Sequence, residues 1–530
     1  MKFDCGCEVN PDNFDPDIEK LNLECPKVWD LISFGNVVGC FQIESRLGKQ
    51  VCKKVQPSTI NELADIITLM RPSCLEGKLE DGRSILDHYI DRKHKKEDAV
   101  AFHEALNPIL GPTYHLMLFQ EQAIKIGQDI AGMSLTEADS LLRAGIGKKK
   151  ADLISKAKTR FLEGAKDKNI VNEKEAQEIF GWIEAGARYS FNASHAYSYA
   201  MTSYLTAYIK AHFPHKFYKS WLNHAHDKIK PLEELERLIT DANQNNIDIL
   251  VPDIRRANKD FIIDNNRLYY GIGHIKSVGD SACKKILDNI PAALDKMSWP
   301  EVLFCYLLKI QKSQAKVLIS VGALDFLGNS RKKMLYQHEK CCSLNEKEVL
   351  YILENVELSR LDSGEGVVEA VRILTGAPTG KGCCMANSRR LVTVKNVYSG
   401  LLTPSISLKD TIEDLANWEE SYLGKAITCS RFDAIQKMGH ETNCLDAAKG
   451  SSQCTIIGQI KRVREFINKN GEEMAFCCIS DNSGEIENVV IFADVWEKSN
   501  KLIQHLDILR IKGYRNPERD SFIVTKVSEI

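Results

Sequence analysis

No apolar run in this chain approaches the roughly 20 residues of a membrane-spanning helix, and its start, Met1-Lys2-Phe3-Asp4-Cys5, lacks the charged-then-apolar order of a secretory signal. A cytoplasmic chain with reduced thiols is the expectation. The cysteines, although they number 17, lack zinc spacing: eight fall as the pairs Cys5/Cys7, Cys341/Cys342, Cys383/Cys384 and Cys477/Cys478, and no two-residue knuckle recurs at a distance. Cys5, Cys7 and Cys25 could converge as a partial metal site, but no nearby histidine completes the set, and free buried thiols are the simpler reading. Gly376-Ala-Pro-Thr-Gly380-Lys381-Gly382 lacks the glycine spacing of a phosphate loop, and no Ser or Thr follows the lysine to hold magnesium, so it reads as a surface loop. Net charge is lacking too. Seventy Lys and Arg against 72 Asp and Glu leave −2, which excludes a uniformly basic polyanion binder but allows strong local segregation.

What the chain does have is length. At roughly 150 residues per domain, 530 residues allow three or four domains, and 44% hydrophobic residues suffices to fill a core in each. Residues 1–27 are acidic and turn-rich, with Asn10-Pro11 and Asp15-Pro16, and read as an irregular lead-in. Over 28–226 helical patterning dominates: Phe119, Ala123, Ile126 and Ile130 share a face, and Gly132 stops that helix. Ser134-Leu-Thr-Glu137 and Asn172-Glu-Lys-Glu175 have the spacing of capping boxes. Ala196 to Phe213 reads as a tyrosine-rich helix ending before Pro214.

Over 227–327 the pattern is mixed. Gly279 opens a helix with Ala282 three residues on, as in half of a helix-hairpin-helix, where Lys276 and the helix N-terminus at Gly279 would meet a DNA phosphate; a plain helix start is the alternative. Residues 328–450 read as a helical connector with surface loops. Over 451–530 the period changes to two: strands at 455–467, 474–480 and 485–492, a helix over 495–503, then strands at 508–513 and 521–527. Three strands, a helix and two strands is the order of a five-stranded OB-fold barrel, which binds single-stranded nucleic acid or serves as a protein-binding module. Arg462, Arg464, Phe466 and Lys469 on its first hairpin suit backbone pairing and base stacking. The fold class expected is thus multidomain α+β, mostly α-helical with a C-terminal β-barrel.

Charge segregates most strongly between Arg143 and Lys168. Nine cations (Arg143, Lys148, Lys149, Lys150, Lys156, Lys158, Arg160, Lys166 and Lys168) face three carboxylates, an excess of six in 26 residues. A solvated helix face carries both signs, so this excess calls for a polyanion. Gly145 and Gly147 let the backbone bend close to a phosphate. Further on, Arg188, Tyr189, Phe191, Ser194, His195, Tyr197 and Tyr199 interleave cations, hydroxyls and rings. Aromatic faces can stack a base while His195 and Arg188 approach phosphates; alternatively the tyrosines are half-buried on an amphipathic helix.

Nine short motifs then occur in order: Gly39-Cys-Phe-Gln-Ile-Glu-Ser45, Arg71-Pro72, Tyr89-Ile-Asp-Arg-Lys-His94, Thr113-Tyr114, Phe119-Gln-Glu-Gln122, Ala138-Asp139, Gly147-Lys-Lys-Lys150, Phe191-Asn192 with Ser194-His195, and Lys210-Ala-His-Phe-Pro214. This succession resembles the fingers region of the bacterial C-family replicative DNA polymerases, the DNA polymerase III alpha family. Val251-Pro-Asp-Ile254, Tyr270-Gly-Ile-Gly-His-Ile-Lys276 and Gly322-Ala-Leu-Asp325 resemble that family's helix-hairpin-helix and clamp-binding region, and the barrel stands where the family has one. The resemblance implies deoxynucleoside triphosphates as substrates, Mg2+, primer-template DNA, single-stranded DNA at the barrel and a sliding clamp as partners, in a bacterial cell or a phage-infected bacterium. No convincing clamp-binding peptide lies between Gly328 and Gly450.

By the same resemblance Arg143 and Lys148 to Lys150 hold triphosphate or DNA backbone, and Ser194, His195 and Tyr199 line the nucleotide pocket. Two positions depart from the family: its paired arginine is Leu142-Arg143 here, with an insertion at Gly145-Ile146, and its lysine before Ser-His is Ala193. Its metal-binding palm aspartates belong upstream of the Gly39 motif, where the sole Asp-x-Asp is Asp15-Pro16-Asp17, whose proline suits a turn rather than a strand. Asp4 stands where Lys2-Phe3-Asp4 is similar to the third aspartate, but Cys-Gly-Cys follows instead of apolar residues. No metal ligand or catalytic carboxylate is therefore assigned in this chain. The expectation is part of a DNA-directed DNA polymerase, inactive alone and needing a separate palm-containing chain; the alternative is a noncatalytic DNA-binding or replisome-scaffolding protein.

Overall fold

Side-chain caps set the helix starts of the N-terminal unit. Ser45 accepts the Gly48 N–H at 3.0 Å to open α2 (Arg46–Val55), Thr59 accepts that of Glu62 to open α3 (Ile60–Leu69), and Ser84 with Asp87 forms a capping box on α4 (Ile85–Lys93). A computed structural model describes residue 17 and residues 20–530, apart from 77–78, 80, 146–150, 187–189, 362–364, 381–382, 431, 433–441, 451, 482, 506–507 and 518–520. The chain divides into two units, one ending at Phe217 and the other running Tyr218–Ile530.

The first unit is helical and has two apolar clusters. One joins α1 (Pro26–Ser33), α2, α3 and α4 to the long helix α8 (Ala193–His212). On α8 Ala196, Ala200, Tyr204, Ala207 and Tyr208 are buried at helical spacing, and the alanines let α8 lie close on α3. The other cluster joins α5 (Gln120–Ala131), α6 (Ala151–Lys168) and α7 (Glu173–Gly186). Phe119, Ala123, Ile126 and Ile130 are buried as their spacing implies, and Gly132 ends α5 at φ 58°. Helix α6 crosses α5 so closely that a Cβ on Gly164 would fall 1.9 Å from the Ala131 carbonyl oxygen. Between the clusters, Phe119 and Phe191 form a parallel bridge, with Gln120 N–H donating to Phe191 O and Phe191 N–H to Leu118 O, both at 2.8 Å.

The second unit begins with α9 (Pro231–Gln244) and a small sheet of β1 (Ile249–Leu250), β2 (Ile262–Asp264) and β3 (Arg267–Tyr269) in the order β1-β3-β2. Helices α10 (Asp280–Asp288) and α11 (Lys312–Ser320) follow. The stretch 328–450 holds α12 (Arg331–Cys341), α13 (Glu346–Asn355), α14 (Ser388–Leu402) and α15 (Ile412–Leu423). Its centre is Arg331, 1% exposed, whose guanidinium donates to Asp325, Glu419, Thr428 and the Ser320 carbonyl. Glu419 in turn accepts the N–H groups of Ile427 and Thr428, so this buried charge is fully bonded.

At the C-terminus β4 (Cys454–Ile467), β5 (Glu473–Ser480), β6 (Glu485–Ile491), β7 (Leu509–Asn516) and β8 (Ser521–Ser528) close into a barrel in the order β4-β5-β6-β8-β7, with α16 (Ala493–His505) between β6 and β7. The first half of β4 pairs with β7 and the second with β5, and β6 runs parallel to β8, the OB arrangement that the element order implies. Ala475, Cys477, Ile479, Val489, Ile491, Leu509, Ile511, Phe522 and Val524 fill the interior by strand alternation, and Trp496 of α16 closes its end. All described cysteines are free thiols, and burial pushes Cys52 and Cys477 up to about 12. Cys5 and Cys7 lie outside the described residues, as does most of the Asp15-Pro16-Asp17 turn. Among the described residues no helix is long and apolar enough to cross a membrane.

Candidate nucleotide and nucleic-acid interface

The start of α8 gathers motif residues that are far apart in sequence. Asn192 caps the helix by accepting the His195 N–H at 2.9 Å, and its own amide donates to Glu121 at 2.8 Å. The second Glu121 oxygen accepts the Ala193 N–H at 2.9 Å. A carboxylate therefore already satisfies the positive end of the helix, which presents side chains rather than free backbone donors. Along one face run Phe191, His195 and Tyr199, four residues apart; His195 is exposed, whereas Phe191, Tyr197 and Tyr199 are half-buried against the apolar cluster, as the amphipathic-helix alternative expected of the tyrosines. His195 packs edge-on to Phe191 at 5.2 Å and against Tyr199 at 3.9 Å between ring centres. The row continues at both ends: the Arg71 guanidinium sits 4.0 Å over the Phe191 ring, and Phe41 meets Tyr199 at 5.1 Å.

Phe41 is held there by backbone bonds. Its N–H donates to Thr206 and its carbonyl accepts from Ser203, both on α8, while the buried Lys210 ammonium donates to Asn36 and to the Val38 carbonyl. The turn around Gly39 is thus fixed to one face of the helix. Ser194 is exposed beside His195, its carbonyl accepting the Ser198 hydroxyl at 2.8 Å. Beneath the row lies a buried ionisable pair: Tyr89 donates to Asp65 at 2.7 Å. Burial pushes the Asp65 carboxyl up to about 7 despite that bond, and after burial itself the Asp65 charge is what raises Tyr197.

Arg143 lies in Asp139–Gly145, a π-helical segment, a winding that recurs at functional positions. Its guanidinium grips Asp139 at 2.5 and 2.9 Å, and the Glu121 charge adds to the field that holds it protonated. That pair is two-fifths exposed on each side, so solvent screens it and it is held only weakly closed. Lys148, Lys149, Lys150 and Arg188 lie outside the described residues.

In the second unit Gly279 caps α10 with space around it, and the exposed Lys276 is fixed by its N–H to the Tyr422 carbonyl. Asp280, in the first turn of α10, pairs with Lys259 at 2.8 Å. On the barrel Arg462 is committed: it stands at a bulge in β4 with φ 53°, and its guanidinium bonds Cys478 and Glu485. Arg464, Phe466 and Lys469 are exposed, and Phe466 is edge-on to Phe476 at 6.2 Å.

Residues 8–169 match the model for the bacterial DNA polymerase III alpha subunit finger domain, and residues 246–334 match that for the helix-hairpin-helix motif. DNA polymerase III subunit alpha of Aquifex aeolicus is 31% identical over 522 residues, covering 96% of this chain and 39% of the relative. The chain is similar, over most of its length, to DNA polymerase III alpha subunits. The subunit of Escherichia coli K12 is 28% identical over 518 residues (94% of this chain, 40% of its own), and that of Staphylococcus epidermidis RP62A is 27% identical over 532 (98% and 44%). The chain thus spans about two fifths of the length of these curated relatives.

Two of the motif residues have structural roles that spacing did not assign. Glu121 of Phe119-Gln-Glu-Gln122 holds the start of α8, and Arg71 of Arg71-Pro72 backs Phe191. Their sequence signal is only a polar residue inside a motif, with no period pointing to its partner. Magnesium is not fitted by what is described: among the described residues no group of three or more His, Cys, Asp or Glu side chains is placed to hold a metal ion. Glu121 and Asp65 are already engaged, with Asn192 and Tyr89.

Proposed function

We propose that this chain supplies the fingers, duplex-binding and single-strand-binding parts of a DNA-directed DNA polymerase in replication, with the palm aspartates carried by a separate chain. The observation that supports it most is the convergence at the start of α8, where the turn at Phe41, the arginine at 71, the glutamate at 121 and the Asn192-to-Tyr199 stretch meet within hydrogen-bonding or ring-contact distance. Motifs separated by some 150 residues of chain meet on one face of the helix, as a substrate pocket requires and a solvated helix does not.

In this reading the incoming deoxynucleotide lies along the row of Ser194, His195 and Tyr199, with ring faces for the base and the imidazole and hydroxyls for polar contacts. Glu121 closes the helix end, so the triphosphate charge falls to Arg143, Lys148, Lys149, Lys150 and Arg188 instead. Lys276 and the α10 start at Gly279 take duplex backbone, and Arg464, Phe466 and Lys469, with Arg462 once freed from Glu485, take single strand. The fingers then run over 28–226, the helix-hairpin-helix region over 227–327 and the barrel over 451–530.

The test is primer extension with this chain, with a palm-carrying polypeptide from the same genome, and with both. Extension only in the mixture is expected. Extension by this chain alone, or none in the mixture, sinks the reading; DNA binding with no effect of Lys148→Ala on incorporation favours a scaffolding role.

A further inference from the structure

We propose that Glu121 is a positioning residue of the nucleotide site: its carboxylate ties the first turn of α5 to the first turn of α8 and so sets His195 against the segment that carries Arg143. The two apolar clusters of the first unit meet along residues 116–119, where Leu116 and Leu118 enter the cluster of α8 and Met117 between them enters that of α5. Both helices begin at this joint, α5 at Gln120 and α8 at Ala193. Gln122 fixes it on the α5 side: its carbonyl accepts the Leu118 and Phe119 N–H groups at 2.8 and 2.9 Å, and its amide donates to Thr113 at 2.8 Å. Glu121, in the same turn, reaches the other way and bonds the start of α8.

Both carboxylate oxygens are in use, one on the Asn192 amide and one on the Ala193 N–H. Because the Asn192 amide nitrogen is turned to Glu121, its oxygen is left to accept the His195 N–H at 2.9 Å. Glu121 thus orients the cap and the turn that carries His195 from 71 positions back in the chain. The source of this carboxylate sets α8 apart. In α7 and α13, also capped by asparagine, the acid is the helix's own third residue, Glu175 or Glu348. In α8 that third position is His195 itself, exposed in the ring row, and the acid comes from another helix instead. Moving the acid to Glu121 frees the position for a ring that faces a substrate. Arg143 holds its proton chiefly through the Asp139 bond, and the Glu121 charge adds to that, so one carboxylate faces both halves of the site.

The role rests on the nucleotide reading of α8, and an amide swap tests it. Glu121→Gln sets an N–H against an N–H; adding Asn192→Asp restores every bond, because the new glutamine donates to the new aspartate, which still caps His195, and keeps an acceptor for Ala193. In the full chain alone, hydrogen exchange of the Ala193 and His195 amides should quicken about fivefold in Glu121→Gln and return to the wild-type rate in the double variant. In single-nucleotide incorporation with the palm-carrying polypeptide, Glu121→Gln should raise the nucleotide KM about fivefold with kcat within about twofold, and the double variant should restore it. If Glu121→Gln melts early, Asn192→Asp alone, which sets two carboxylates together and should raise KM likewise, takes its place. Unchanged exchange overturns the tie. Faster exchange with unchanged KM, or a KM that the double variant does not restore, makes Glu121 a helix cap only and overturns the positioning role while the nucleotide reading stands. A wild-type mixture that incorporates nothing overturns both.

Discussion

At the scale of single residues, exposure decides which charges are available for a substrate. Arg143 and Arg331 both bind carboxylates, yet the Arg143 pair is solvent-washed and cheap to open, whereas Arg331 lies sealed between Asp325 and Glu419. Arg331→Ala would leave the buried Glu419 carboxylate without its guanidinium, at a cost of about 3–5 kcal/mol, and should lower the melting temperature of the full chain by several degrees. Arg143→Ala should leave melting unchanged. Asp65 gives a pH signature. Its folded pKa lies near 7 and its unfolded value near 4, so its stability contribution is complete below about pH 4 and is lost as pH rises through 7. Asp65→Asn keeps an acceptor for Tyr89, so it should melt above wild type at pH 8 by about a few degrees and close to it at pH 4, read by circular dichroism.

Among the elements, close helix crossings carry the geometry of the site. Gly164 lets α6 meet α5, and α5 carries Glu121 towards α8. Gly164→Ala forces the crossing apart and should cost about 1–3 kcal/mol, measured by chemical denaturation. Helices with strong local signals were legible in the sequence: Asn172 and Glu175 do form the capping box their spacing implies, and the barrel strands fall within a few residues of the alternating segments. Residues 331–423 carry such signals too, the capping boxes Asn345/Glu348 and Thr411/Asp414, but their packing depends on Arg331 reaching Glu419 across 88 positions, a contact with no local period. The same holds within the site. His195 and Tyr199 follow from motif and helical spacing, but their neighbours Phe41 and Arg71 reach them only through the tertiary fold. On the barrel, alternation from the buried Cys477 places Phe476 outward, whereas the Lys512–Lys526 pairing depends on a register shift between Lys512 and Gly513 that no turn residue announces.

For the whole molecule, a net charge of −2 conceals a basic segment that nucleic acid should read as if it stood alone. Replacing Lys148, Lys149 and Lys150 by alanine should lower the slope of log affinity for duplex DNA against log salt by about 2.7, measured between about 50 and 200 mM salt. The central claim is that this chain presents the incoming nucleotide while another carries the palm. Single-nucleotide incorporation by the two chains together, with deoxynucleotide concentration varied, tests it most directly. The account predicts that His195→Ala raises the KM for the nucleotide about tenfold with a smaller change in kcat, because a stacking contact worth about 1–3 kcal/mol is lost; an unchanged KM in an active mixture would contradict it.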